Sequence, residues 1–194
     1  MPKAHQIRPL RSALLAITLL ALPTLAAAQA HDPACGALDA LAAEFMPEPD
    51  ARTVLTGVAD MSSALASGET ELPPEWLDGD WEPDTPPTGL RAAFIEARFE
   101  GDVVTTCPGF AARLGALGVR FGDDEADKAR AEAPKRTVVY AFSLPVLSAD
   151  SHEALAYAQY LCGVRTCGAG FYFYPRRSEA GPWTVAGGKL MWIS

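Results

Sequence analysis

The sequence predicts an α+β fold in which N-terminal helices pack on one face of a curved, mainly antiparallel sheet that ends in a four-strand meander. Three observations predict it. Apolar residues recur at helical spacing in the first two-thirds of the chain, at Ala34, Leu38, Leu41, Ala42 and Phe45 and again at Leu90, Phe94 and Ile95. From Thr137 onward the period changes to two, in β-branched and aromatic runs separated by turn residues. Cys162 and Cys167 flank the central turn of those runs.

In chain order, Met1 to Ala30 reads as a secretory signal peptide. It has a basic start (Lys3, Arg8, Arg11), an apolar stretch from Ala13 to Leu25, and the small-x-small site Ala28-Gln29-Ala30. Cleavage there would leave His31 as the mature N terminus, and residues 31–194 as a single periplasmic or secreted domain large enough to bury a core. Asp32-Pro33-Ala34-Cys35 is a poor lipidation signal, so no lipid anchor is expected. Losing three basic residues and no acidic one takes the net charge from -8 to -11. Such a charge excludes nucleic acid and anionic membrane surfaces as partners.

Pro33 to Phe45 is the first expected helix, closed by Pro47. Arg52 to Val58 suits a short strand and Met61 to Ala66 a brief helix. Leu72 to Thr88 turns to Pro, Asp, Glu and Trp and reads as a long acidic loop anchored by Trp76 and Trp81. Leu90 to Phe99 returns to helical spacing, with Gly101 as a stop signal. Val103 to Phe121 fits strand and helix equally, and Asp123 to Ala133 is a charged surface helix. The meander occupies 137–194. Its first strand, Thr137 to Leu147, alternates Val138, Tyr140 and Phe142 with Val139, Ala141 and Ser143. After the turn Ser148 to His152, the run Glu153 to Cys162 sets large residues against a mostly methyl face. Phe171 to Tyr174 is an aromatic strand that Pro175 ends. Trp183 to Val185 with Leu190 to Ile193 makes the last strand, and Gly187-Gly188 marks a bulge or bend in it.

Four cysteines in an exported chain point to two disulfides, with three possible pairings. Cys162 with Cys167 is the local choice and leaves Cys35 with Cys107. A redox pair would favour Cys-x-x-Cys, and zinc would need two close ligand pairs.

The C-terminal third resembles a family of uncharacterised secreted bacterial proteins. The residues that carry the likeness are Ser143-Leu144-Pro145, Ala154-Leu155-Ala156-Tyr157, Cys162-Gly163, Cys167-Gly168, Trp183-Thr184-Val185 and the ending Trp192-Ile193-Ser194. Four residues separate the cysteines here, where the family pattern has three. The resemblance implies a recurring secreted module and carries no catalytic residue.

Several side-chain groups have a chemistry to be weighed against a bland reading. Asp78, Asp80, Glu82 and Asp84 alternate as calcium ligands do, but a helix-loop-helix calcium loop needs Gly and Glu where Pro83 and Gly89 stand. A mature N-terminal His31 could brace copper together with His152. Asp150, Ser151 and His152 carry the residue types of a hydrolytic triad, yet neighbours in a tight turn point apart. Glu96 and Glu100 would share a helix face as an acid and base pair. The tyrosine face made by Tyr172 and Tyr174 with Tyr157 or Tyr160 could be an exposed platform for a ligand or protein, or could pack as core. The sequence therefore assigns no catalytic residue, metal or cofactor. Its first functional reading is a non-catalytic exported module that binds a protein or small ligand on its sheet. The alternative is a periplasmic enzyme, either a hydrolase using carboxylates in the sheet's concavity or a copper protein.

Overall fold

The computed structural model describes residues 32–46, 48–56, 77–97, 101–163, 167–179 and 181–193. Its elements are α1 (Pro33–Phe45), β1 (Thr53–Thr56), β2 (Glu82–Pro83), α2 (Thr88–Glu96), α3 (Val103–Thr106), α4 (Pro108–Ala116), β3 (Arg120–Phe121), α5 (Asp123–Glu132), β4 (Val138–Phe142), β5 (Val146–Leu147), β6 (Ala154–Cys162), β7 (Gly168–Arg176) and β8 (Thr184–Ile193). The signal segment, His31, the expected helix Met61 to Ala66 and Trp76 lie outside the described residues. Among the described residues no helix is long and apolar enough to cross a membrane.

The fold is α+β, as expected. One eight-stranded sheet runs β2-β8-β7-β6-β4-β1-β3, with β5 paired to β6 off that path. The expected antiparallel meander is β4, β6, β7 and β8. β1 runs parallel to both β3 and β4, which makes the sheet mixed.

Helices cover both faces of the sheet, not the single face expected. The reason lies in β6, where five consecutive residues, Ala154 to Ala158, are buried. A strand that reads as a continuous apolar run needs cover on both sides. On one face α1, α3 and α4 bring Leu38, Leu41, Val103 and Phe110 against Phe142, Ala156, Ala158 and Phe173. On the other, α2 brings Leu90 and Phe94 against Leu155, Tyr157, Tyr172 and Tyr174. Beside it α5 lays Ala126 and Ala129 on Val54 and Val139.

Local chemistry accounts for the element ends. Asp32 caps α1 by accepting the Ala34 N–H at 2.9 Å, and Pro33 follows at the first helical position, where no donor is lost. The ambiguous segment resolves into α3 and α4, with β3 after them. Cys107 stands between the two helices and joins Cys35 in the first turn of α1, with Cα atoms 5.5 Å apart. The second disulfide, Cys162–Cys167, closes the β6–β7 hairpin.

Three details of the meander differ from the expectation. The first strand splits into β4 and β5 at Ser143-Leu144-Pro145, because Pro145 has no N–H to give a ladder. Ser143 repairs the gap: its N–H donates to the Tyr157 carbonyl at 2.9 Å, and its hydroxyl accepts the Tyr157 N–H at 2.8 Å. Pro175 does not end β7; it sits at a register shift, and pairing continues to Arg176 opposite Thr184. Gly187 and Gly188 do not break β8. One register shift does fall beside them, at Ala186, near where a bulge was expected, and another at Met191, and the glycines also allow close approach. A Cβ at Gly187 would lie 2.0 Å from the Asp84 carbonyl, so only glycine lets the β2 segment cross there.

Candidate functional site

Register explains how the tyrosine face is built. Tyr157 pairs with Tyr172, and Ala156 with Phe173, so the tyrosines share one side and the phenylalanines the other. Of the two arrangements open to that face, the structure adopts the packed one. Tyr157, Tyr172 and Tyr174 are each no more than 2% exposed. Phe94 meets Tyr172 edge-on at 5.5 Å, and Trp81 lies over it at 6.4 Å in stacked orientation. The cover is the α2 helix together with residues 77–81. Trp81 donates its indole N–H to the Leu77 carbonyl at 2.9 Å, and Arg91 of α2 reaches that carbonyl at 3.2 Å and the Asp78 carboxylate at 2.5 Å.

Buried hydroxyls need partners, and this face supplies them to Tyr157 and Tyr174 in two small networks. At one end the Trp192 indole N–H donates to the Tyr157 hydroxyl at 2.9 Å, which donates to the Gln159 side-chain oxygen at 3.0 Å. Both rings pass over Gly170, whose missing Cβ would fall 2.2 Å from the Trp192 nitrogen and 2.4 Å from the Tyr157 oxygen. At the other end the Tyr174 hydroxyl donates to Glu153, and Arg176 pairs with Asp84 at 3.0 Å. Burial raises the Tyr172 and Tyr174 hydroxyls well above the ordinary tyrosine range, and the Glu153 carboxylate adds to the shift at Tyr174. Burial also raises Tyr157, against a smaller opposing pull from the Trp192 hydrogen bond. Tyr174 is thus a proton donor at neutral pH, and Glu153 its acceptor. The sequence reading passed over Glu153, Gln159, Arg176 and Trp192. Their signal was register: Glu153 stands opposite Arg176 as a bridge in line with the β6–β7 ladder.

The other sequence-nominated groups are dispersed. Asp78 is held by Arg91 on α2 and Asp84 by Arg176 on β7, while Asp80 and Glu82 are exposed. Asp78 and Asp84 therefore tie their segment to α2 and to β7, and Asp80 and Glu82 take no part in that tie. Among the described residues no three His, Cys, Asp or Glu side chains come together as a metal site. His152 is half-buried in the β5–β6 turn, and His31, its partner in the copper reading, lies outside the described residues. Asp150 occupies the centre of that turn, accepting from the Ser148 hydroxyl at 2.6 Å and the His152 N–H at 3.1 Å. These bonds hold its carboxyl below the usual carboxylate range. His152 Nδ1 stands 3.9 Å from the other carboxylate oxygen. The hydroxyl bound to that carboxylate belongs to Ser148 and not to the nominated Ser151, whose main chain instead donates to the Ser148 carbonyl and accepts from Arg177, so the bonds of this turn are those of a turn and not of a triad. Glu96 is exposed at the end of α2, and Glu100 lies outside the described residues.

One further surface was not anticipated. β2 pairs with β8 only at Gly187 and Gly188, so among the described residues the outer side of β8 from Lys189 to Ile193 pairs with no strand. Leu190 is 47% exposed there and Ile193 72%. Comparison with protein-family models, curated proteins and solved structures found no match.

Proposed function

We propose that the chain is an exported, disulfide-stapled, non-catalytic module that binds a protein partner at its sheet. The observation that carries this reading is the outer edge of β8, where Leu190 and Ile193 are exposed and, among the described residues, the main chain from Lys189 to Ile193 pairs with no further strand. Such an edge is a template for added main chain. Both sheet faces are covered, so the edge replaces the tyrosine face as the binding surface. Two disulfides and the leader-like start of the chain support export to a periplasmic or secreted location, and the resemblance to secreted modules with a Cys-Gly/Cys-Gly hairpin supports the same placement. The hydrolase alternative draws on the Glu153 carboxylate at the sheet's end, but that carboxylate already accepts the Tyr174 hydroxyl.

Two measurements test the reading. Intact mass of the exported protein is expected to begin at His31 and to fall four hydrogens short of the reduced form; a retained leader or free thiols would contradict export. A photo-crosslinker at Ile193 in producing cells is expected to give a discrete adduct that the same crosslinker at Leu117, another exposed apolar position, does not. Equal or absent adducts would contradict binding at the sheet edge.

A further inference from the structure

The edge of β8 also restricts what can bind it. A row of main-chain N–H and C=O groups is completed best by another extended strand, whose own groups are equally unmet in isolation. Edges of this kind are commonly blunted by an outward lysine. Lys189 does not serve that purpose here, because its ammonium is turned back to donate to the Asp78 carbonyl. Leu190 and Ile193 accordingly stand open along the strand with no charge between them.

Charge then selects among strands. A second copy would bring together two exported chains, each of net charge -11 without residues 1–30, over an edge of only five residues, Lys189 to Ile193. That contact is far smaller than the roughly 800 Å² per partner of a stable interface, and the repulsion works against it. The lane that an added strand would occupy is the continuation of β2. Glu82 closes the near end of that lane opposite Gly188, with Asp80 two residues before it, both exposed and, among the described residues, in no ion pair. β2 runs antiparallel to β8. A segment continuing in the same direction would therefore bring its C-terminal end to these carboxylates.

We propose that β8 from Lys189 to Ile193 takes an extended segment of another protein, apolar at alternate positions and basic at its C-terminal end. The proposal rests on the binding-module reading above and names the chemistry of its partner. Backbone pairing supplies the strand geometry, Leu190 and Ile193 the apolar contacts, and Asp80 and Glu82 the preference for lysine or arginine.

The test uses the full exported chain and two short synthetic peptides of alternating valine and threonine, one ending in two lysines and the other in two glutamates. Backbone amide resonances and hydrogen exchange of the isotopically labelled protein are followed during titration. The lysine peptide is expected to shift and protect amides of Lys189 to Ile193. The glutamate peptide should bind at least about tenfold more weakly, a difference of about 1.4 kcal/mol, and the gap should shrink as salt is raised. The double variant Leu190→Lys with Ile193→Lys, whose near-ultraviolet dichroism should match the parent because both positions are exposed, is expected to lose the response. Equal binding of both peptides overturns the charge preference. Protection of β8 that grows with protein concentration in the absence of peptide overturns the choice of a foreign strand. Unmoved β8 amides alongside a specific adduct at Ile193 in cells would overturn the strand proposal and leave the binding-module reading standing; failure of both would remove the two together.

Discussion

The two faces of the sheet are stabilised by different chemistry. The phenylalanine face is packed ring on ring, with Phe45 of α1 at the centre of five rings, its centroid 5.3 to 6.1 Å from those of Tyr140, Phe142, Tyr160, Phe171 and Phe173. It is also cross-linked, through Cys35 and Cys107, across 72 residues of chain. The tyrosine face has no disulfide to its cover. It is held by Trp81, Phe94 and the Arg91 clamp, and by the Tyr157 and Tyr174 hydroxyls, which donate to Gln159 and Glu153. Equal burial can thus rest on shape alone or on shape plus satisfied polar groups, and the second kind is sensitive to pH.

The largest effects should come from the staples. Replacing Cys35 and Cys107 together by alanine is expected to cost about 4 kcal/mol in denaturant unfolding, against about 2 kcal/mol for the Cys162 and Cys167 pair. Equal losses would break the argument that the long bridge fixes the phenylalanine face. Exchanging chemistry between the faces comes next. Phe142→Tyr places a hydroxyl among Phe45 and Phe110 and should destabilise by about 2 kcal/mol. Tyr157→Phe strands the Trp192 indole and the Gln159 amide and should cost about 1 kcal/mol. If both swaps prove neutral, the faces do not differ as described.

Alkaline titration sharpens the contrast. Folded Tyr157, Tyr172 and Tyr174 keep their protons above the pH of about 10 at which the unfolded chain loses them. Above that pH the unfolded state binds fewer protons, so stability falls as pH rises; below it the contribution is fully present. Tyrosinate absorbance should therefore fall short of the five tyrosines of the chain until the protein unfolds. A full, reversible signal from folded protein would show that the face is open to water. The smallest effect is expected for Asp150→Ala, which removes the acceptor at the centre of the β5–β6 turn. Because this carboxyl titrates below its ordinary range, its contribution is present above that range and is lost as pH falls through the lowered value. Faster amide exchange at Ser151 and His152, with the core unchanged, would be its signature.

Much of this was legible in the residues. Period-two alternation placed Tyr172 and Tyr174 opposite Phe171 and Phe173, and helical spacing located α1 and α2. The disulfide carried further information: once Cys162 faces Cys167, the same register sets Leu161 against Gly168, Tyr157 against Tyr172 and Glu153 against Arg176. The Glu153–Tyr174–Arg176 network could have been read from that pairing. Other features depend on distant contacts. Nothing local to Leu77–Trp81 says that Arg91 will clamp it over Tyr172, or that β1 will lie parallel to β4. Gly187 and Gly188 read as a bend because their cause, the passing Asp84 carbonyl, lies a hundred residues earlier in the chain. The open side of β8 is equally non-local, since it is set by how short β2 is.

Hydrogen exchange followed residue by residue across the exported protein tests the central claim most directly. A buried tyrosine face with an open β8 edge predicts that β6 and β7 amides exchange only through global unfolding, while outward amides between Lys189 and Ile193 exchange far faster. If β8 is as protected as β7, the edge is already covered. If the β6 and β7 amides exchange as fast as those of Lys189 to Ile193, the sheet is not covered on both faces and the contrast between its interior and its edge fails.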